Sequence, residues 1–76
     1  MKPKKKLPDD SSELLEIGRY ILVETTLNKK QYYQIYEFYE TGDGHRYWAR
    51  GAGNSDLDTV TAELERITGR KVKLAQ

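Results

Sequence analysis

The chain has no cysteine, and among its 76 residues there is one histidine, one methionine, one tryptophan, one phenylalanine and only two prolines. Without thiols, neither a disulfide framework nor a thiolate metal site can supplement the core, and a reducing compartment is permitted. A single imidazole, His45, leaves no hydroxyl with a base and an orienting partner, so the composition argues against an enzyme. Long apolar runs are missing too. Nothing approaches a membrane span, and the basic opening Met1 to Lys6 leads into Leu7-Pro8-Asp9-Asp10 instead of a signal-type hydrophobic segment. A soluble protein of the cytoplasm or another intracellular space is expected. Thirteen Lys and Arg against twelve Asp and Glu give a net charge of +1, so any basic surface must be local.

What is present suits one small domain. Leu, Ile, Val and Phe together make only 16 of the 76 residues, but six tyrosines and the tryptophan can complete a thin core, because they bury large areas while keeping a polar edge. Residues 1–10 (MKPKKKLPDD) hold four lysines, two prolines and almost nothing to bury, and are expected to be a mobile basic arm. Residues 11–76 are expected to be the domain. Asp10 with Glu13 suits a capping box before a helical turn of Leu14, Leu15 and Ile17 closed by Gly18, but the same residues suit the opening of a first strand.

Tyr20 to Thr25 is β-branched and alternating, as a half-buried strand requires, and Asn28-Lys29-Lys30 makes the next turn. Tyr32 to Glu40 is aromatic on both faces, which leaves its orientation open and would be reconciled by a bulge near Tyr36. The Gly-Asp-Gly signal at 42–44 predicts a hairpin whose returning strand is His45 to Gly51. Ser55 is the expected N-cap of a helix with Asp56 and Asp58 in its first turn, an apolar stripe of Leu57, Val60, Leu64 and Ile67, and a stop at Gly69. Lys71 to Leu74 alternates like a short last strand. The predicted order is β-β-β-α-β, an α+β domain with one helix on one face of a small antiparallel sheet.

The third strand carries the most chemistry. Alternation puts Arg46, Trp48 and Arg50 on one face and Tyr47 and Ala49 on the other, so if the second pair meets the helix, Trp48 is displayed between two guanidinium groups. A ring takes the face of a base while arginines neutralise phosphates, which is what single strands and DNA ends require. The competing reading makes Trp48 a core residue with the arginines in water. Lys29, Lys30 and the arm lysines Lys4, Lys5 and Lys6 are ordinary solvated charges singly, and a basic rim if they gather. Gly51 to Ser55 runs into a helix N-terminus, yet lacks a phosphate-loop lysine and faces Asp56 and Asp58, so a simple strand-to-helix turn is the better reading. The same aspartates have the spacing of dipole partners and no further metal ligands nearby.

Asn28-Lys29 followed by Tyr33-Gln34-Ile35 resembles the N-K-x-[FY]-x-I strand of the WGR domain, a small module of poly(ADP-ribose) polymerases and many short bacterial proteins. Tyr47-Trp48-Ala49-Arg50 is similar to that family's W-G-R core, with Ala49 in place of the glycine, and Ile67 to Lys71 resembles its closing K-T-G-N segment. The resemblance spans Val23 to Leu74. It implies an antiparallel sheet with a helix on one side, no catalytic activity, and binding of DNA near a break. Carried over, the motif Trp that packs on a terminal nucleotide is Trp48, and the motif Arg at the DNA and interdomain junction is Arg50. The expectation is a non-enzymatic nucleic-acid-binding module without cofactor, metal, membrane or small-molecule substrate. The alternative is a protein-interaction module that presents Tyr32, Tyr36 and Trp48 as interface anchors.

Overall fold

In a computed structural model of the chain, residues 5–73 are described, and they form four strands followed by one helix: β1 (Ser11–Ile17), β2 (Tyr20–Leu27), β3 (Lys30–Glu40), β4 (Arg46–Asn54) and α1 (Leu57–Thr68). The strands make an antiparallel meander in the order β1-β2-β3-β4. The α+β class is as the sequence predicts, while the element order is not. Ser11–Ile17 is a strand rather than a helical turn, because it pairs with β2, and a register shift between Glu13 and Leu15 lets the consecutive Leu14 and Leu15 both pack on the core.

Two tight turns set the register. Gly18 stands at φ 58 between Ile17 and Tyr20, the place where a two-residue hairpin demands a positive φ. Asn28 and Lys29 both have positive φ, 54 and 64, between the paired Leu27 and Lys30, which is the pattern of a type I′ turn. The irregularity expected near Tyr36 is present, but the extra residue lies on β4: Gln34 pairs with Gly53 and Tyr36 with Arg50, so Gly51 and Ala52 together oppose Ile35.

The main core lies between the sheet and α1: Leu22, Tyr33, Ile35, Val60 and Leu64 are buried together, with Ile17, Tyr20, Leu57 and Val72 packed around them. The helix begins one residue later than predicted. Its N-cap is Asp56, not Ser55, since the Asn54 carboxamide oxygen takes the Asp56 N–H at 2.8 Å and holds the entering turn. Gly69 closes the helix at φ 70, donating its N–H to the Glu65 carbonyl. No fifth strand forms among the described residues. The N–H of Val72 donates to the Glu65 carboxylate at 2.8 Å and its side chain packs on the core, so residues 71–73 join no sheet edge; Leu74 lies outside the described residues.

Ile21 and Val23 face away from α1 yet are only 2% exposed. The N-terminal segment lies over that face: the Lys5 ammonium stands 4.3 Å from the ring centroid of Tyr36, the cross-strand partner of Ile21, and Lys5 and Leu7 are half-buried. Ser11 N–H donates to the Pro8 carbonyl at 3.0 Å, which sets the angle of entry into β1. Of the expected arm, Lys5 and Leu7 are half-buried, while Lys6, Pro8, Asp9 and Asp10 are exposed; residues 1–4, Lys4 among them, lie outside the described part.

Candidate nucleic-acid interface

Cross-strand pairing gives the face away from the helix a definite layout. Glu40 opposes Arg46, Phe38 opposes Trp48 and Tyr36 opposes Arg50, so three aromatic rings and two guanidinium groups share three adjacent rungs. Phe38 meets Trp48 edge-on, with centroids 5.2 Å apart and planes at 61°, the arrangement in which a ring edge points at a π face. Trp48 is half-buried against this neighbour and is not part of the core beneath α1. Tyr47 and Ala49 lie on the helix side, as alternation indicates, although Tyr47 is 42% exposed and stacks on Tyr39 rather than on the helix.

The charges on this face are unequal. Arg46 donates to the Glu40 carboxylate at 2.9 Å, so much of its field is answered locally. Arg50 is exposed and makes no ion pair with another described residue. Lys5 lies over Tyr36, one rung across from Arg50, and Lys6 is exposed beside it. Lys29 and Lys30 are not brought here: Lys30 stands eight residues from Phe38 along β3, which at about 3.3 Å per residue is roughly 26 Å. Tyr32, Tyr36 and Trp48 do share the face, with Tyr32 towards its other end beside Gly53.

No family model, curated protein or solved structure matches this chain.

The floor of the site is built by Gln34, the one polar side chain among the buried residues described. The Gln34 carboxamide donates to the carbonyls of Gly51, Ala52 and Ile35 at 2.7, 3.0 and 3.1 Å, so it satisfies groups that the bulge displaces from the ladder. Strand β4 is thereby bent at the residue after Arg50.

On the helix side of the same hairpin, Glu37 is a hub. It accepts the Tyr39 hydroxyl at 2.8 Å and the Arg19 guanidinium at 3.3 Å. The bond from Tyr39 to Glu37 holds that phenol above its ordinary pKa, and burial, reinforced by the Glu37 charge, does the same to Tyr20. At the turn, Asp43 accepts the Thr41 hydroxyl and the His45 N–H, which together hold its carboxyl below the usual range. Among the described residues, no three His, Cys, Asp or Glu side chains gather to hold a metal ion, and no helix is long and apolar enough to cross a membrane.

Sequence reasoning missed Phe38 as the partner of Trp48. Counting outward from the 41–45 turn would have found it, since equal steps pair 38 with 48 and 39 with 47.

Proposed function

We propose that this is a non-enzymatic intracellular module that binds nucleic acid, as a single strand or a duplex end, on the face carrying Trp48. One observation carries the reading: Trp48 stands outside the helix-covered core, beside an arginine, Arg50, with no ionic partner among the described residues. A base stacks on Trp48, with Phe38 holding the indole from the side, while Arg50, Lys5 and Lys6 take successive phosphates. The WGR-like pattern at Tyr47 to Arg50 gives the same two residues, Trp48 and Arg50, these roles.

Fluorescence anisotropy with a labelled oligonucleotide tests it. Three phosphate contacts on a single strand predict a slope of log affinity against log salt of about −2, since each contributes roughly −0.7. Arg50→Gln should remove about one contact from that slope, and absence of binding at low salt would end the proposal. A second reading follows from the Arg46–Glu40 pair, which leaves the face only modestly cationic: a protein partner gripped by Tyr32, Tyr36 and Trp48. Such a partner would bind with little salt dependence.

A further inference from the structure

The β3–β4 hairpin outruns the rest of the sheet. Strand β2 begins at Tyr20 opposite Glu37, and the last backbone bond to the neighbouring hairpin is Phe38 N–H to the Arg19 carbonyl at 2.8 Å. Beyond it, Tyr39 to Tyr47 are paired only with each other, through Tyr39–Tyr47 and Glu40–Arg46. Successive rungs of this two-stranded ribbon point their rings to opposite sides: Phe38 and Trp48 to one face, Tyr39 and Tyr47 to the other.

The second face is built as a ladder. Tyr39 and Tyr47 stack with centroids 5.4 Å apart and planes at 12°, His45 follows at 5.7 Å from Tyr47, and the Arg19 guanidinium lies 5.6 Å from the Tyr39 ring. The ladder leads towards a cavity of about 240 Å³ at the end of α1, lined in part by Arg19 and Arg70 over Ile17 and Ile67. Arg70 makes no ion pair with a described residue. Trp48 with Arg50 on one side of the ribbon, and the exposed Tyr47 on the side that leads to Arg70, thus give each side a ring and an arginine with no ion pair to a described residue, while Arg19 is shared with Glu37. The turn between them carries Asp43, which disfavours a phosphate backbone bending over the tip.

We propose that the hairpin is a wedge that seats at the junction of a duplex with two single strands, one strand lying on Trp48 and Arg50 and the other on Tyr47 towards Arg70. This rests on the nucleic-acid reading of the Trp48 face and extends it to a forked substrate. Rings on opposite faces of one sheet hold their stacked bases with the whole thickness of the ribbon between them. A base pair needs donors and acceptors within about 3 Å, so no pair survives across the ribbon.

The test uses the full chain and a forked duplex with 2-aminopurine at the first unpaired position of one arm or of the other, beside a single strand and a blunt duplex of the same sequence. The fork should bind tighter than the single strand by roughly five- to a hundredfold, the worth of one more stacked base, and the probe should change fluorescence on both arms. Tyr47→Ala, at an exposed residue, should return fork affinity to the single-strand value and silence one arm only, while Trp48→Ala should weaken fork and single strand alike. Arg70→Gln, further from the stack, should weaken the fork selectively. Equal affinity for fork and single strand, with Tyr47→Ala and Arg70→Gln both without effect, overturns the wedge while leaving the Trp48 site standing; no binding to any of the three probes overturns both.

Discussion

The side-chain amide of Gln34 donates to the carbonyl of Gly51 at 2.7 Å, the closest of three carbonyls it serves at the β4 bulge. This bond ties the bend of the edge strand to a residue that is itself only 6% exposed. Gln34→Leu keeps much of the volume and removes every donor. It should cost about 1 to 3 kcal/mol, the desolvation penalty of carbonyls left without a partner, read from urea unfolding. A variant as stable as the parent would show that water takes over the bulge carbonyls without loss.

A side chain at Gly53 would force Gln34 or Tyr32 to move. A methyl there would lie 2.5 Å from the Gln34 Oε1 and 2.7 Å from the Tyr32 hydroxyl, inside contact distance on both sides. Gly53→Ala should destabilise the protein by roughly 1 to 3 kcal/mol through overpacking. The matched Gly42→Ala, which meets nothing within 4 Å, should shift stability by no more than about 0.5 kcal/mol. Equal thermal midpoints for the two variants would count against the tight packing of Gly53.

Lys29 sits at φ 64, a conformation that costs an ordinary L-residue roughly 1 to 2 kcal/mol and glycine almost nothing. After glycine's larger entropy in the unfolded chain is subtracted, Lys29→Gly should raise stability by roughly 0.5 to 1 kcal/mol. Because Lys29 belongs to the turn far from Trp48, the same variant should leave oligonucleotide affinity and salt slope nearly unchanged. A flattened slope would place Lys29 in the nucleic-acid contact after all.

Tyr20 and Tyr39 both surround Glu37 and both hold their protons above the ordinary value of 10.0. A group whose folded pKa exceeds its unfolded one contributes stability that is complete below the unfolded pKa and disappears as pH rises through the folded one. Stability from this hub should therefore be intact at neutral pH and fall only above pH 10.0, the ordinary tyrosine value. Glu37→Gln removes the charge that disfavours tyrosinate, so titration of the tyrosinate absorbance should show phenols ionising earlier than in the parent. Superimposable titrations would deny Glu37 this role.

Local patterns determined much of this protein. Alternation alone separated Arg46, Trp48 and Arg50 from Tyr47 and Ala49, the spacing of Leu57, Val60, Leu64 and Ile67 marked the core-facing stripe of the helix, of which Ile67 at the last turn stays exposed, and Gly69 marked its end, because backbone geometry imposes periods of two and 3.6 on any chain that adopts these conformations. The rest was decided between residues distant in sequence. Strand β3 offers apolar rows on both faces, so only packing against Leu22, Val60 and Leu64 chose Tyr33 and Ile35 for the main core. Ser11–Ile17 suited a helical turn or a strand and became a strand because β2 supplied a partner. Lys71 to Lys73 had the alternation of a strand and remained irregular because the Glu65 carboxylate took the Val72 N–H. Pairing also set Phe38 against Trp48, laid Lys5 over Tyr36 and left Lys29 and Lys30 at the far end of the sheet. A sequence carries its periods locally, whereas burial and register are properties of pairs, and the energies that select among pairs exist only once the chain has brought them together.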